Sequence, residues 1–310
     1  MSDSIETIRV NTGEIDFEID VAGDPKSERL ALLLHGFPEL NYSWRHQMPM
    51  LARLGYRVWA PNQRGYGNTT RPLGTRAYRT EALVDDVSRL IDASGCKSVT
   101  LFGHDWGAIV AWMFALARPR TLDRLVIMNV PHPTLFRRGL KTFAQMKRSW
   151  YGVFFQVPRL PEAILGAGNG RAITEAFRGM AIDKSRFPEE VTEVYRRHAT
   201  QPGALTAMVN WYRGLRYMPP AWKKMVDDPP LLDVPTLLVW GEEDTALGKE
   251  LTYGTDALVS DLTVRYLANV SHWVQQEAPE AVNAMVEAWV TGAEVPEYAD
   301  LMPSHLGSAS

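Results

Sequence analysis

The sequence predicts an α/β fold: a mostly parallel central sheet with helices on both faces, interrupted by an inserted helical cap. Three observations predict it. Short continuous apolar runs alternate with longer helical patterns through the first 130 residues and again after 234. The stretch 108–117 is apolar nearly all round, as a helix buried at the centre of such a fold must be. Between about 134 and 228 the alternation stops and only helical patterns remain.

Residues 15–21 place an apolar side chain at every second position, which suits a half-buried strand. The runs at 30–34, 56–60, 99–102, 125–128 and 236–240 are continuously apolar and read as central strands covered on both faces. A last strand-like stretch, 263–267, precedes the segment Asn269-Val270-Ser271-His272-Trp273. Residues 80–94 have a helical pattern. Val282, Met285, Val286 and Trp289 form one stripe and mark a surface helix packed on the sheet. The Pro-rich stretch 219–230 reads as a linker, and the tail after about Gly292 as weakly ordered. The expected division is a core of residues 1–133 and 229–310, with a cap of residues 134–228.

The chain has 310 residues, 45% hydrophobic and 22% charged, which excludes a disordered, collagen-like or coiled-coil protein. Its net charge of −3 offers no basic excess, so no nucleic-acid partner is expected. Cys96 is the sole cysteine, so neither an internal disulfide nor a Cys-rich metal site is available. The N-terminus has no basic start followed by an apolar run, and no apolar stretch approaches the ~20 residues that span a bilayer. These features lead to the expectation of a cytoplasmic protein with no membrane partner.

Chemistry concentrates at the ends of the strands. Gly103-His104-Asp105-Trp106-Gly107 lies between the run ending at Phe102 and the buried helix, the strand–turn–helix setting of a nucleophile elbow. Asp105 takes the place usually held by Ser; an Asp capping the helix would fit the same position. A carboxylate is ionised at pH 7 and needs no base to attack saturated carbon, but the resulting ester needs one for its hydrolysis. His272, in the loop after the last strand, is the candidate base among seven histidines, His305 included. Asp244, just past another central strand, is the candidate orienting acid, with Glu242 and Glu243 read as solvated neighbours. The order Asp105, Asp244, His272 is nucleophile, acid, base. An alternative acid position after 125–128 holds Asn129 and Val130. The oxyanion donors are expected to be the backbone N–H groups of Phe37 and Trp106, with Pro38 fixing the first loop.

Across residues 14–290 the chain resembles an epoxide hydrolase of the α/β-hydrolase fold. The resemblance rests on His35-Gly36-Phe37-Pro38-Glu39, Asn62-Gln63-Arg64-Gly65-Tyr66-Gly67, Gly103-His104-Asp105-Trp106-Gly107-Ala108, Asn210-Trp211-Tyr212-Arg213 and Ser271-His272-Trp273. It implies two cap tyrosines that hold and protonate the epoxide oxygen. Tyr212 matches one through Asn210-Trp211-Tyr212-Arg213, and Tyr151 matches the other through its place five residues before Gln156 in Phe155-Gln156-Val157-Pro158. A packing role for either phenol remains the plain alternative.

The expected substrate is a small hydrophobic epoxide, consumed with water, in a pocket between core and cap that draws on Phe37, Trp106, Trp150, Phe154, Met180 and Trp273. No cofactor or metal is called for, and a homodimer is left open. Two rival readings stay open: a haloalkane or haloacetate dehalogenase of the same fold, and a non-catalytic ligand receptor built on it. Trp150 keeps the halide reading alive, because an indole N–H can hold a halide. Against it, Phe37 and Trp106 stand where those dehalogenases usually carry other residues.

Overall fold

The structure is a computed structural model that describes residues 4–302; His305 lies outside them. Its strands are β1 (Glu6–Asn11), β2 (Asp16–Ala22), β3 (Arg29–Leu34), β4 (Arg57–Pro61), β5 (Ser98–His104), β6 (Arg124–Met128), β7 (Thr236–Gly241) and β8 (Leu262–Leu267). They form one sheet in the order β1-β2-β4-β3-β5-β6-β7-β8. From β4 to β8 every neighbouring pair is parallel, while β1 and β2 join antiparallel at one edge. The strand β1 has no counterpart in the sequence reading: its exposed edge position asks for no apolar run.

The helices in chain order are α1 (Gln47–Arg53), α2 (Thr80–Ser94), α3 (Trp106–Ala117), α4 (Pro133–Gly139), α5 (Phe143–Arg148), α6 (Trp150–Phe154), α7 (Leu160–Met180), α8 (Glu189–Ala199), α9 (Ala204–Gly214), α10 (Pro220–Asp227), α11 (Val274–Glu277), α12 (Pro279–Thr291) and α13 (Tyr298–Leu301). Alternate residues of the central strands feed two cores. Leu30, Leu32 and Leu34 pack with α2 and α3. Ala31 and Leu33 pack with α1 and α12 on the opposite face. Ten of the twelve residues of α3 are buried, as an all-apolar helix requires.

Helices α4 to α10 lie between β6 and β7, with no strand among them. Ile173, Phe177, Phe187, Tyr195, Met208 and Trp211 from this segment join the core that contains α2 and α3. Two expectations change. The stretch read as a linker contains the helix α10, with Pro220 at its first position, where the missing N–H costs nothing. The tail read as weakly ordered is tied down as far as the described residues go. Val295 is buried, and Arg265 donates to the carbonyl oxygens of Val295 and Pro296 at 2.6 and 3.0 Å.

Candidate active site

Asp105 sits at the sharp turn between β5 and α3 with φ 46° and ψ −121°, a backbone region that L-residues rarely occupy. Small neighbours make the turn feasible. A Cβ on Gly107 would lie 2.1 Å from the Leu34 carbonyl oxygen, and one on Gly36 would lie 2.3 Å from the Asp105 Cβ. The Phe37–Pro38 peptide bond is cis. The Phe37 amide donates to Asp105 Oδ1 at 2.6 Å. Trp106 opens α3, so its N–H has no acceptor within the helix.

The loops after β7 and β8 complete the constellation. His272 directs Nε2 toward Asp105 Oδ2 at 3.5 Å, and its Nδ1 donates to Asp244 Oδ2 at 2.6 Å. Asp244 is held from both sides: Oδ1 accepts from the amides of Ala246 and Leu247, and Oδ2 also accepts from Asn129 Nδ2 at 2.9 Å. Its neighbour Glu243 is exposed, and Glu242, half-buried, is ion-paired with Lys249.

Electrostatics favour an ion pair. Burial works against a charged His272, but the Asp244 and Asp105 carboxylates outweigh it and raise the imidazole to about 10. Burial likewise opposes an ionised Asp105, yet the hydrogen bond and charge of His272 hold its carboxyl below the usual range. At neutral pH the resting pair is therefore carboxylate and imidazolium.

Above this pair stand two phenols from the inserted helices. Tyr151, on α6, and Tyr212, on α9, have ring centres 6.0 Å apart. Tyr212 also meets Trp106 edge-on at 4.9 Å and Phe37 at 5.4 Å. Burial and then the Asp105 charge raise both hydroxyls, so both stay protonated. Arg213 fixes the joint between their helices. It is buried, donates to the carbonyls of Phe155 and Val157, and pairs with Glu162 through two hydrogen bonds.

The remaining pocket candidates separate. Trp273 is buried against His272, and Phe154 and Met180 are half-buried. Trp150 turns away. It is 63% exposed and meets Phe154, one turn along α6, at 5.7 Å. Trp150 is thus the most exposed of the six residues expected to line the pocket.

Sequence reasoning missed a second layer. Glu39, fully buried, accepts from His104 at 2.7 Å, from Gln275 and Gln276 at 2.8 Å each, and from the Gly36 amide. The other nitrogen of His104 bonds the His272 carbonyl at 2.8 Å. Glu277 has one oxygen on Ser271 and the other on the amides of Ile182 and Asp183, at 2.9 and 2.8 Å. Asn129 has φ 50° and uses both ends of its amide on the Asp244 loop. The signal for Glu39 and Asn129 was present: Glu39 lies in a quoted motif in the loop after β3, and Asn129 directly follows β6 at a position weighed for the acid.

Residues 32–279 match the model of the alpha/beta hydrolase fold family. The chain is 35% identical over 285 residues to the AB hydrolase superfamily protein YfhM of Bacillus subtilis, covering 92% of this chain and 97% of that one. It is 35% identical over 289 residues to mouse epoxide hydrolase 4, covering 91% of this chain and 78% of the relative. The chain belongs to the epoxide hydrolases of the α/β-hydrolase fold. A solved epoxide hydrolase of Bacillus megaterium, in complex with an inhibitor, aligns to this hydrolase with a TM-score of 0.81 at 27% identity, over 92% of this chain and all of that one. The mostly parallel sheet with helices on both faces is the fold class expected from the sequence.

Proposed function

We propose that this enzyme converts an epoxide to a vicinal diol through an ester on Asp105, with residues 134–228 acting as a cap over the core. The observation that carries the reading is two protonated phenols, Tyr151 and Tyr212, gathered over an ionised carboxylate. Asp105 Oδ2 attacks a ring carbon, forming a C–O ester bond and breaking the ring C–O bond. The departing oxygen takes a proton from a tyrosine, which keeps negative charge off a strongly basic alkoxide. The proton inventory closes with His272: the imidazolium gives up one proton as the alkoxide gains one.

Alkylation makes Asp105 a neutral ester and removes one of the two charges that raise His272. The imidazole then serves as base, taking a proton from water as its oxygen adds to the ester carbonyl. Negative charge builds on Oδ1, the oxygen already bonded to the Phe37 amide, with Trp106 N–H as second donor. Collapse frees the diol and restores the carboxylate and imidazolium. The apolar walls at Phe37, Trp106 and Phe155 suit a hydrophobic substrate.

The test is a panel of aliphatic and aromatic epoxides beside chloro- and bromoalkanes and haloacetates, with diol and halide both quantified. Diol formation from epoxides supports the reading. Halide release without diol formation overturns it, and so does an absence of turnover on every substrate.

A further inference from the structure

The outer face of α5 and α6 is built the wrong way round for a water-soluble helix pair. Phe143, Met146, Trp150 and Val153 follow one another at spacings of three, four and three residues, which places them along one side. They are 79%, 50%, 63% and 76% exposed. The opposite side carries the inward residues Gln145, Tyr151 and Phe155. Ser149 joins the two helices without a break in the run of backbone hydrogen bonds, through Ser149 to Gln145 and Gly152 to Ser149. Large exposed apolar side chains scattered singly need no explanation, but a stripe of four does.

The charge around the stripe narrows what covers it. Between 134 and 161 the chain carries six cations, Arg137, Arg138, Lys141, Lys147, Arg148 and Arg159, and no Asp or Glu. Arg137 pairs with Asp227 and Arg148 with Glu250. Arg138, Lys141, Lys147 and Arg159 make no ion pair among the described residues. A protein of net charge −3 has thus gathered an excess of positive charge in the same stretch of chain as this exposed apolar stripe.

A second copy of the chain is a poor fit for this face. A two-fold interface sets the same patch against itself, and these cations would meet their own images. An anionic bilayer surface meets both halves of the pattern: lipid phosphates face the cations, while Phe, Trp, Met and Val sink to the acyl boundary. We propose that the α5–α6 face docks this enzyme peripherally on anionic phospholipid membranes. The attachment lies in the interface plane; among the described residues no helix is long and apolar enough to cross a membrane. Tyr151 then stands on the protein side of the same helix whose other side touches lipid.

The experiment is flotation of the full chain with phosphatidylcholine vesicles, with and without phosphatidylglycerol, at low and high salt. The expected result is binding only to the phosphatidylglycerol vesicles, weakened by salt. A charge variant, Lys141→Glu with Lys147→Glu, should bind about tenfold more weakly or worse. A variant with Phe143→Ser, Met146→Ser and Val153→Ser should lose binding as well, with circular dichroism showing that it still folds. No flotation with phosphatidylglycerol vesicles overturns the proposal, as does undiminished binding by the charge variant. A dimer in sedimentation velocity that the charge variant leaves intact and Phe143→Ser dissociates assigns the face to a second copy and also overturns it.

Discussion

The amide nitrogen of Phe37 lies 2.6 Å from Oδ1 of Asp105, while Oδ2 of the same carboxylate faces His272. The two oxygens are thus already distinguished in the resting protein. On the proposed mechanism, Oδ1 rests where negative charge later collects, and Oδ2 is the oxygen left to attack.

Alkylation should proceed without the base. With His272→Gln and a substrate that the wild type turns over, intact mass should rise by the mass of the epoxide, and the adduct should map to the peptide containing Asp105. Unmodified protein after long incubation would contradict the division of roles.

Asp244→Asn should lose most of the activity, because the imidazole loses both its orienting acceptor and the charge that stabilises its protonated form. Glu243→Gln, an outward-facing change, should leave kcat within about twofold of wild type. Equal damage by the two substitutions would place the acid elsewhere.

Single-turnover alkylation should separate the phenols from the core. Tyr151→Phe or Tyr212→Phe leaves one donor and should slow ring opening about 10- to 1,000-fold, or about 1.4–4 kcal/mol. The double variant should not open the ring at a measurable rate. A double variant that alkylates at the wild-type rate would remove the tyrosines from the mechanism.

The charge state of His272 should be visible in stability. Its folded value of about 10 stands above the ~6.5 of an unfolded chain, despite burial, because two carboxylates flank it. A raised folded value means the stabilisation is complete below about pH 6.5 and is lost as pH rises toward 10. The unfolding free energy of wild type minus that of His272→Gln should therefore be level between about pH 5 and 6.5 and fall from there to pH 10. Denaturant titrations that show the difference growing with pH would reverse the assignment.

Glu277 should link the cap to the base. Glu277→Gln can no longer accept four hydrogen bonds from Ser271, Ile182 and Asp183. Both single-turnover steps, alkylation and ester hydrolysis, should slow, whereas Ser271→Ala should slow hydrolysis alone. Identical effects of the two variants on the two steps would refute the link.

The parts legible in the sequence were those whose signal is local. Continuous apolar runs betray β3 to β7 because both faces of each strand are covered, and the elbow betrays Asp105 because its flanking glycines are sterically required. The sequence hid what depends on direction. Trp150 and Tyr151 are neighbours in the chain, yet one faces solvent and the other the nucleophile. Only the packing of α6 against α9 decides which. The partners of Glu39 at positions 104, 275 and 276 are equally remote in sequence, and no periodicity announces them.

The inserted helices leave the sheet after β6 and return at β7, and these two strands are hydrogen-bonded neighbours, Leu125 opposite Thr236 through Met128 opposite Val239. The two ends of a long excursion are thus clamped side by side by the core itself. Lengthening such a loop adds only slowly, with the logarithm of its length, to the entropy of closing it. The inserted helices can therefore change length while β6 and β7 stay paired, provided that the amides of Ile182 and Asp183 still reach Glu277 beside His272.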